Sequence, residues 1–221
     1  MEIKAELIKP YTEQERMDFI VEQNHRNSYE IKETETALEA WGYTEEEIQE
    51  QERKRLDNLS MTRGDVFEAL ILAKGLGKAQ IRSMIEQAEL DTVTKALYLN
   101  RFDEALEFYR GYPIFDMLGE ALDITPSMLD RFFDTKDYHY LTTCKLTINS
   151  TPTEATVTGD GSYPYGTLVD YKVELEGYKP YTGSIELLKD TELNIELEKI
   201  EEVVDENTTD TTTDIPNEVG E

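Results

Sequence analysis

The sequence predicts an α+β multidomain protein: a helical N-terminal half, then a small antiparallel β-sandwich, then an acidic tail. Three observations carry this. Between Thr62 and Asp134, apolar residues recur at the three- and four-residue spacing of amphipathic helices. From Tyr138 the period switches to two, in short runs separated by Gly, Pro and Asp turn signals. Beyond Glu201 large apolar residues almost vanish, and such a stretch cannot offset its own ordering entropy. The predicted boundaries are 1–60 for an N-terminal arm and polar helices forming a docking region, 61–137 for a helical bundle, 138–200 for the sandwich and 201–221 for a disordered tail.

Ile3, Ala5 and Leu7 alternate with charged residues, which predicts a short strand or extended arm with all three on one side, ended by Pro10. Thr12 and Glu15 have the spacing of a capping box, in which each side chain satisfies the other's backbone N–H. Met17, Phe19, Ile20 and Val21 follow, and Asn24 to Asn27 close that helix. Thr44 and Glu47 repeat the box at the start of a second helix ending near Leu59. Its apolar stripe of Ile48, Leu56 and Leu59 is too thin for a core element, so it is expected to bridge parts or lie along a partner. Trp41-Gly42-Tyr43 is read as a loop before that helix, either a docking anchor or a plug for the helical core.

The bundle is read as five short helices. Their faces are Val66, Phe67 and Leu70; Ile81, Met84 and Ile85; Val93, Ala96 and Leu97; Ile114, Met117 and Leu118; and Met128, Leu129, Phe132 and Phe133. The fourth follows the turn at Gly111-Tyr112-Pro113, after Leu106, Phe108 and Tyr109. Thr125-Pro126 starts the last one, a capping residue followed by the residue favoured at the first helical position. In the β region, Leu146 and Ile148, Ala155 and Val157, Tyr171 to Leu175, Ile185 and Leu187, and Leu193 to Leu197 each alternate with polar residues. Strands spaced this way indicate an antiparallel sandwich. A domain this small without a disulfide depends on close packing of both inner faces.

Formal net charge is −26, from 48 acidic and 22 basic residues. Eight carboxylates and no Lys or Arg lie in 200–221, so the preceding 199 residues still carry −18. That sign argues against binding nucleic acid through its phosphates and against docking on anionic lipid, since both rely on Lys and Arg. The one cysteine, Cys144, allows neither an intramolecular disulfide nor a thiolate metal cluster. The first ten residues lack the apolar core of a leader, and no apolar run approaches the length of a membrane span. The expectation is a soluble protein made in the cytoplasm.

Residues that could carry chemistry have plainer structural readings. His25 and His139 stand at a helix end and at the domain junction, where a histidine favours the helix dipole as readily as it serves as a base. Cys144 lies in the first β run with no nucleophile context. Glu45, Glu46, Glu47 and Glu50 begin a helix whose first turn favours negative charge, and Arg53, Lys54 and Arg55 follow. Gly159-Asp160-Gly161 lacks the alternating oxygen ligands of a calcium loop and is read as a hairpin turn. Gly75-Leu76-Gly77-Lys78 lacks the Ser or Thr and the preceding strand of a phosphate loop, and is read as a helix cap. No catalytic residue, metal site or cofactor is expected. Tyrosine is abundant, 13 in all, and Tyr138, Tyr140, Tyr163, Tyr165, Tyr171, Tyr178 and Tyr181 gather in the β region. They suit either an interface or the covering of a small sandwich's edges.

The segments Leu146–Pro152, Ala155–Val157, Gly159–Gly161, Tyr163–Thr167 and Val173–Tyr181 resemble the PEGA family. These are small Ig-like modules of bacterial surface and phage-associated proteins. The resemblance implies an Ig-like sandwich used for adhesion, decoration or spacing. In the N-terminal half, Tyr29–Glu35, Ala40–Glu47, Arg110–Gly119 and Leu129–Phe133 are similar to small acidic proteins encoded among bacteriophage structural genes. The joint expectation is a non-enzymatic, virion-associated structural or assembly protein of a bacteriophage, made in the bacterial host cytoplasm, with an outward-facing Ig-like domain. Its partners would be other protein subunits of an assembly, copies of itself included, and a cell-surface glycan. The expected interaction residues are Ile3, Leu7, Trp41 and Tyr43 in the docking region, and Tyr163, Tyr165, Tyr178 and Tyr181 on the β domain. Two other readings fit the composition: an acidic DNA mimic that inhibits a nucleic-acid-binding protein, and a bacterial carbohydrate- or cell-wall-binding adaptor.

Overall fold

A computed structural model describes residues 1–201, so the acidic tail beyond Glu201 lies outside the described residues. The chain is a mixed α+β protein, about 42% helix and 31% strand. It divides into two compact units, Met1–Thr142 and Thr143–Glu221.

The first unit opens with β1 (Glu2–Ile8), α1 (Glu13–Ile20) continued by a π-helical turn (Val21–Arg26), β2 (Glu30–Glu33) and β3 (Ala37–Gly42). The three strands form an antiparallel sheet in the order β1-β3-β2. The first segment is therefore a paired strand and not a free arm. Its alternation also misleads about faces. Ile3 pairs with Trp41 but Ala5 with Ala40, so a bulge at Lys4 puts Ile3 on the face opposite Ala5 and Leu7. Trp41 and Gly42 lie in β3 rather than in a loop. That strand has no period-two signature because Ala37, Leu38, Ala40 and Gly42 are all buried, on both faces of a central strand.

Helix α2 (Glu45–Asp57) starts at the capping box of Thr44 and Glu47 and buries no residue. Five further helices follow: α3 (Arg63–Lys74), α4 (Lys78–Gln87), α5 (Thr92–Glu104), α6 (Pro113–Ala121) and α7 (Pro126–Thr135). Thr62, Asp91 and Thr125 cap three of them with side-chain oxygens. Gly75, at φ +69°, ends α3 in the left-handed conformation. The stretch is not helical throughout: β4 (Ser60–Thr62) and β5 (Glu107–Tyr109) pair across it. Three-residue strands are too short to leave a period. Val66, Ile81, Ile85, Phe102, Leu118 and Phe132 form the centre of the core. Edge-to-face contacts such as Phe115–Phe133 at 5.1 Å run through it. A short 3-10 turn at Tyr138–Leu141 puts Leu141 into this same core, so the unit ends at 142 and not at 137. The alternating Tyr138 and Tyr140 read as strand because both lean on that core.

The second unit contains β6 (Thr143–Thr151), β7 (Thr156–Thr158), β8 (Gly161–Pro164), β9 (Thr167–Glu174), β10 (Tyr181–Leu187) and β11 (Thr191–Glu196). They form two three-stranded sheets, β10-β9-β7 and β11-β6-β8. Leu146 and Ile148 from one sheet and Val169, Val173 and Leu187 from the other share a single core. Two readings need correction. First, β11 runs parallel to β6, from Thr191 opposite Leu146 to Glu196 opposite Thr151. Side-chain alternation identifies a strand but carries nothing about its direction. Second, Gly159-Asp160-Gly161 is a passage between sheets, since β7 pairs with β9 and β8 with β6. The Asp160 carboxylate accepts the Ile148 N–H at 2.9 Å, which fixes the passage. At Gly159, with φ +94°, a Cβ would stand 2.8 Å from the Asp170 carbonyl oxygen.

Candidate functional site

The sheet of the first unit brings together two of the expected contact residues. Ile3 and Trp41 are cross-strand partners, and Ile8 shares their face through its pairing with Ala37. Ile3 and Ile8 are 47% and 66% exposed. The Trp41 indole N–H donates to Glu39 Oε2 at 2.8 Å, and Lys32 Nζ stands 4.8 Å from the ring centroid. The indole is thus held in one orientation at the surface, between a carboxylate and an ammonium. Leu7 faces the other way, opposite Leu38, and exposed Tyr43 follows the strand.

The tyrosines of the second unit divide by role. Tyr163, Tyr165 and Tyr178 pack on the core, and the Tyr163 hydroxyl donates to the Gly159 carbonyl at 3.0 Å. Tyr181 is exposed and stacks on Tyr171, with centroids 6.3 Å apart. Of the four expected contact residues here, three are partly buried against the core and Tyr181 is exposed.

The residues weighed for chemistry sit in quiet surroundings. Burial pushes the Cys144 thiol up, and the charge of Asp190 adds to this, so the thiolate nucleophile is suppressed. His139 Nδ1 lies 2.6 Å from Asp137 Oδ1, and its ring stacks on Tyr138 at 4.1 Å. Among the described residues, no group of three His, Cys, Asp or Glu has the geometry to hold a metal ion. No helix of the described residues is long and apolar enough to cross a membrane.

Arg110 was missed as an individual residue. It is 1% exposed and the sole buried charged residue among those described. Its Nε donates to Asp130 Oδ1 at 2.7 Å, and its Nη2 lies 2.9 Å from Asp116 Oδ1, while Nη1 is buried without a partner among the described residues. Asp130 also meets Arg53 at 3.3 Å, and Arg53 reaches Asp57. The backbone joins in: the Arg110 and Gly111 N–H groups donate to the carbonyls of Leu59 and Asp57. A Cβ at Gly111 would come within 2.9 Å of Asp57 Cβ. This node ties the end of α2 to the start of α6 and to α7. The signal was an Arg beside Gly111 in a turn between apolar segments, with Asp116 and Asp130 on the helices that follow.

Comparison of the chain with protein-family models, curated proteins and solved structures finds no match. The class that fold and surface define is a two-unit α+β protein, with charge nodes serving structure and aromatic and apolar groups left outward.

Proposed function

We propose that this chain is a non-enzymatic structural or assembly protein, virion-associated in a bacteriophage. The first unit docks on other subunits, and the second is an outward-facing Ig-like module of the PEGA kind. The observation that carries this reading is the apolar surface of the first unit. Val93 and Leu97 stand one turn apart on α5, 68% and 63% exposed, and Leu106 beyond that helix is 81% exposed. In so acidic a chain, adjacent apolar groups on one helix face support a protein contact. The Ig-like assignment is supported by two sheets sharing one core, with the resembling segments at the sheet-to-sheet passage and at the β9–β10 connection.

The test is quantitative mass spectrometry of purified particles from producing cells. A copy number comparable to that of known particle proteins is the expected result. Absence from particles, with the protein abundant in infected cells, overturns the virion reading and favours an acidic inhibitor. Val93→Glu with Leu97→Glu is expected to abolish incorporation while circular dichroism stays unchanged.

A further inference from the structure

Edge strands invite pairing, and proteins blunt them with short length, bulges, Lys or Pro. Most edges of this molecule are blunted so. β1 has its bulge at Lys4. β2 has four residues and carries Lys32, β7 has three, and β8 has four and ends in Pro164. β11 carries Glu192 and Glu196. β10 differs. It pairs with β9 over seven consecutive residues without a shift, contains no Lys, Arg or Pro, and carries one carboxylate, Glu186, against two in the six residues of β11.

Two hydrogen bonds show which of its backbone groups are free. The Lys172 carbonyl accepts from Thr158 Oγ1 at 3.3 Å, so the backbone of Lys172 faces β7, and that of Tyr171 and Val173 faces β10. At the other end, Gly166 N–H donates to the Leu187 carbonyl at 2.7 Å, so Leu187 faces β9. Tyr181, Gly183, Ile185 and Leu187 therefore bond to β9. Thr182, Ser184 and Glu186 turn their N–H and C=O groups outward, with no strand beyond them among the described residues.

We propose that this edge is the interface of a two-fold homodimer, in which β10 pairs antiparallel with β10 of a second copy, centred on Ser184. The three outward residues are symmetric about Ser184. Ser184 meets the partner's Ser184, and Thr182 meets the partner's Glu186, each pair exchanging two N–H···O bonds. No like charges stand opposite one another in this register. On the other face, Gly183, covered by the Tyr171 ring of its own chain, lies opposite the partner's Ile185. Exposed Tyr181 lies opposite the partner's Leu187. Centring on Glu186 instead sets two carboxylates face to face, and centring on Thr182 leaves part of the edge unpaired. The inference stands apart from the virion reading. Because each copy carries −26, salt strengthens the pairing by screening the repulsion between copies.

The test is sedimentation velocity on the full chain over a concentration series at low and high salt, with two variants at the exposed Thr182. Thr182→Glu places a carboxylate opposite the partner's Glu186 at both ends of the ladder and weakens dimerisation about tenfold, while Thr182→Lys tightens it by a similar factor. Ser184→Cys adds a covalent readout. Directly opposite residues have Cα atoms ~5.5 Å apart, within disulfide range, so oxidation gives a cross-linked dimer that the wild type, with Cys144 buried, does not form. A chain that stays monomeric at every concentration in high salt overturns the proposal. So does a dimer that both Thr182 variants leave unmoved, or one that Ser184→Cys fails to cross-link.

Discussion

Helix α2 has no buried residue, yet it is held in place: Arg53 meets Asp130 and Arg55 meets Asp134 at 2.8 Å, both on α7. The second unit fastens itself otherwise. Its six described strands close over Leu146, Val173 and Leu187, each at 0% exposure, and its polar links are mostly backbone ladders. The first unit thus adds a polar layer to an apolar core through charge and capping, while the second relies mainly on the core and the ladder, with single side-chain bonds such as Asp160 to the Ile148 N–H. Charge is an adjustable adhesive, weakened as salt screens it and as carboxylates take up protons, whereas apolar contact is neither screened nor titrated.

The largest expected effects come from striking each unit at its own fastening. Leu146→Ala removes a fully buried side chain from the shared core of the sandwich and costs about 3–4 kcal/mol. Urea unfolding of that unit reads the loss, which should be equal at low and high salt. Arg110→Ala removes the buried partner of Asp130 and Asp116 and the packing of its own stem, and costs about 2 kcal/mol, since Asp116 is exposed and Asp130 keeps Arg53. Trp41, the one tryptophan, reports on the unit concerned. An equally stable Arg110→Ala protein would break the comparison.

Of intermediate size is Gly159→Ala, expected to cost about 2 kcal/mol in the second unit because the residue is held at positive φ against the backbone of β9. Acid is expected to loosen the first unit before the second. Hydrogen bonds hold several carboxylates of the first unit below their usual range: Glu15 by the Thr12 N–H, Glu33 by Lys9, Asp91 by Thr94, and Glu52 and Asp134 by Arg55. Such a group contributes stability fully above its unfolded pKa of about 4 and loses it as pH falls through the lower folded value. Amide resonances of the first unit should therefore broaden at a higher pH than those of β6 and β9. Coincident loss would erase the distinction. The smallest effect is Thr44→Ala, about 1 kcal/mol, from the loss of the cap on α2, and thermal melting of the first unit measures it.

The helices were legible because their signals are local. Thr12 with Glu15, Thr44 with Glu47, and Thr125 before Pro126 mark starts within a few residues, and the structure uses each as read. What escaped depends on partners distant in sequence. β3 hides its period because both faces are covered, and Ile3 changes sides through one inserted residue that no pattern announces. β5 is three residues long and has meaning only beside β4. Arg110 looked like one charge among many, since its burial is created by α6 and α7 closing over it. In the candidate surface, Trp41 was readable only as either an anchor or a plug, and Tyr181 was not separable from Tyr163 and Tyr178, because a tyrosine covering a core and one awaiting a partner look alike in sequence.

The parallel ladder of β6 and β11 has a mechanical consequence. It joins the first and last described strands of the second unit over six register pairs. Tension that draws Thr143 and Leu197 apart slides these strands lengthwise, so all the rungs carry the load together. A hairpin pulled from its two ends would instead unzip one rung at a time. The sandwich is thereby built to transmit a pull along the chain without opening.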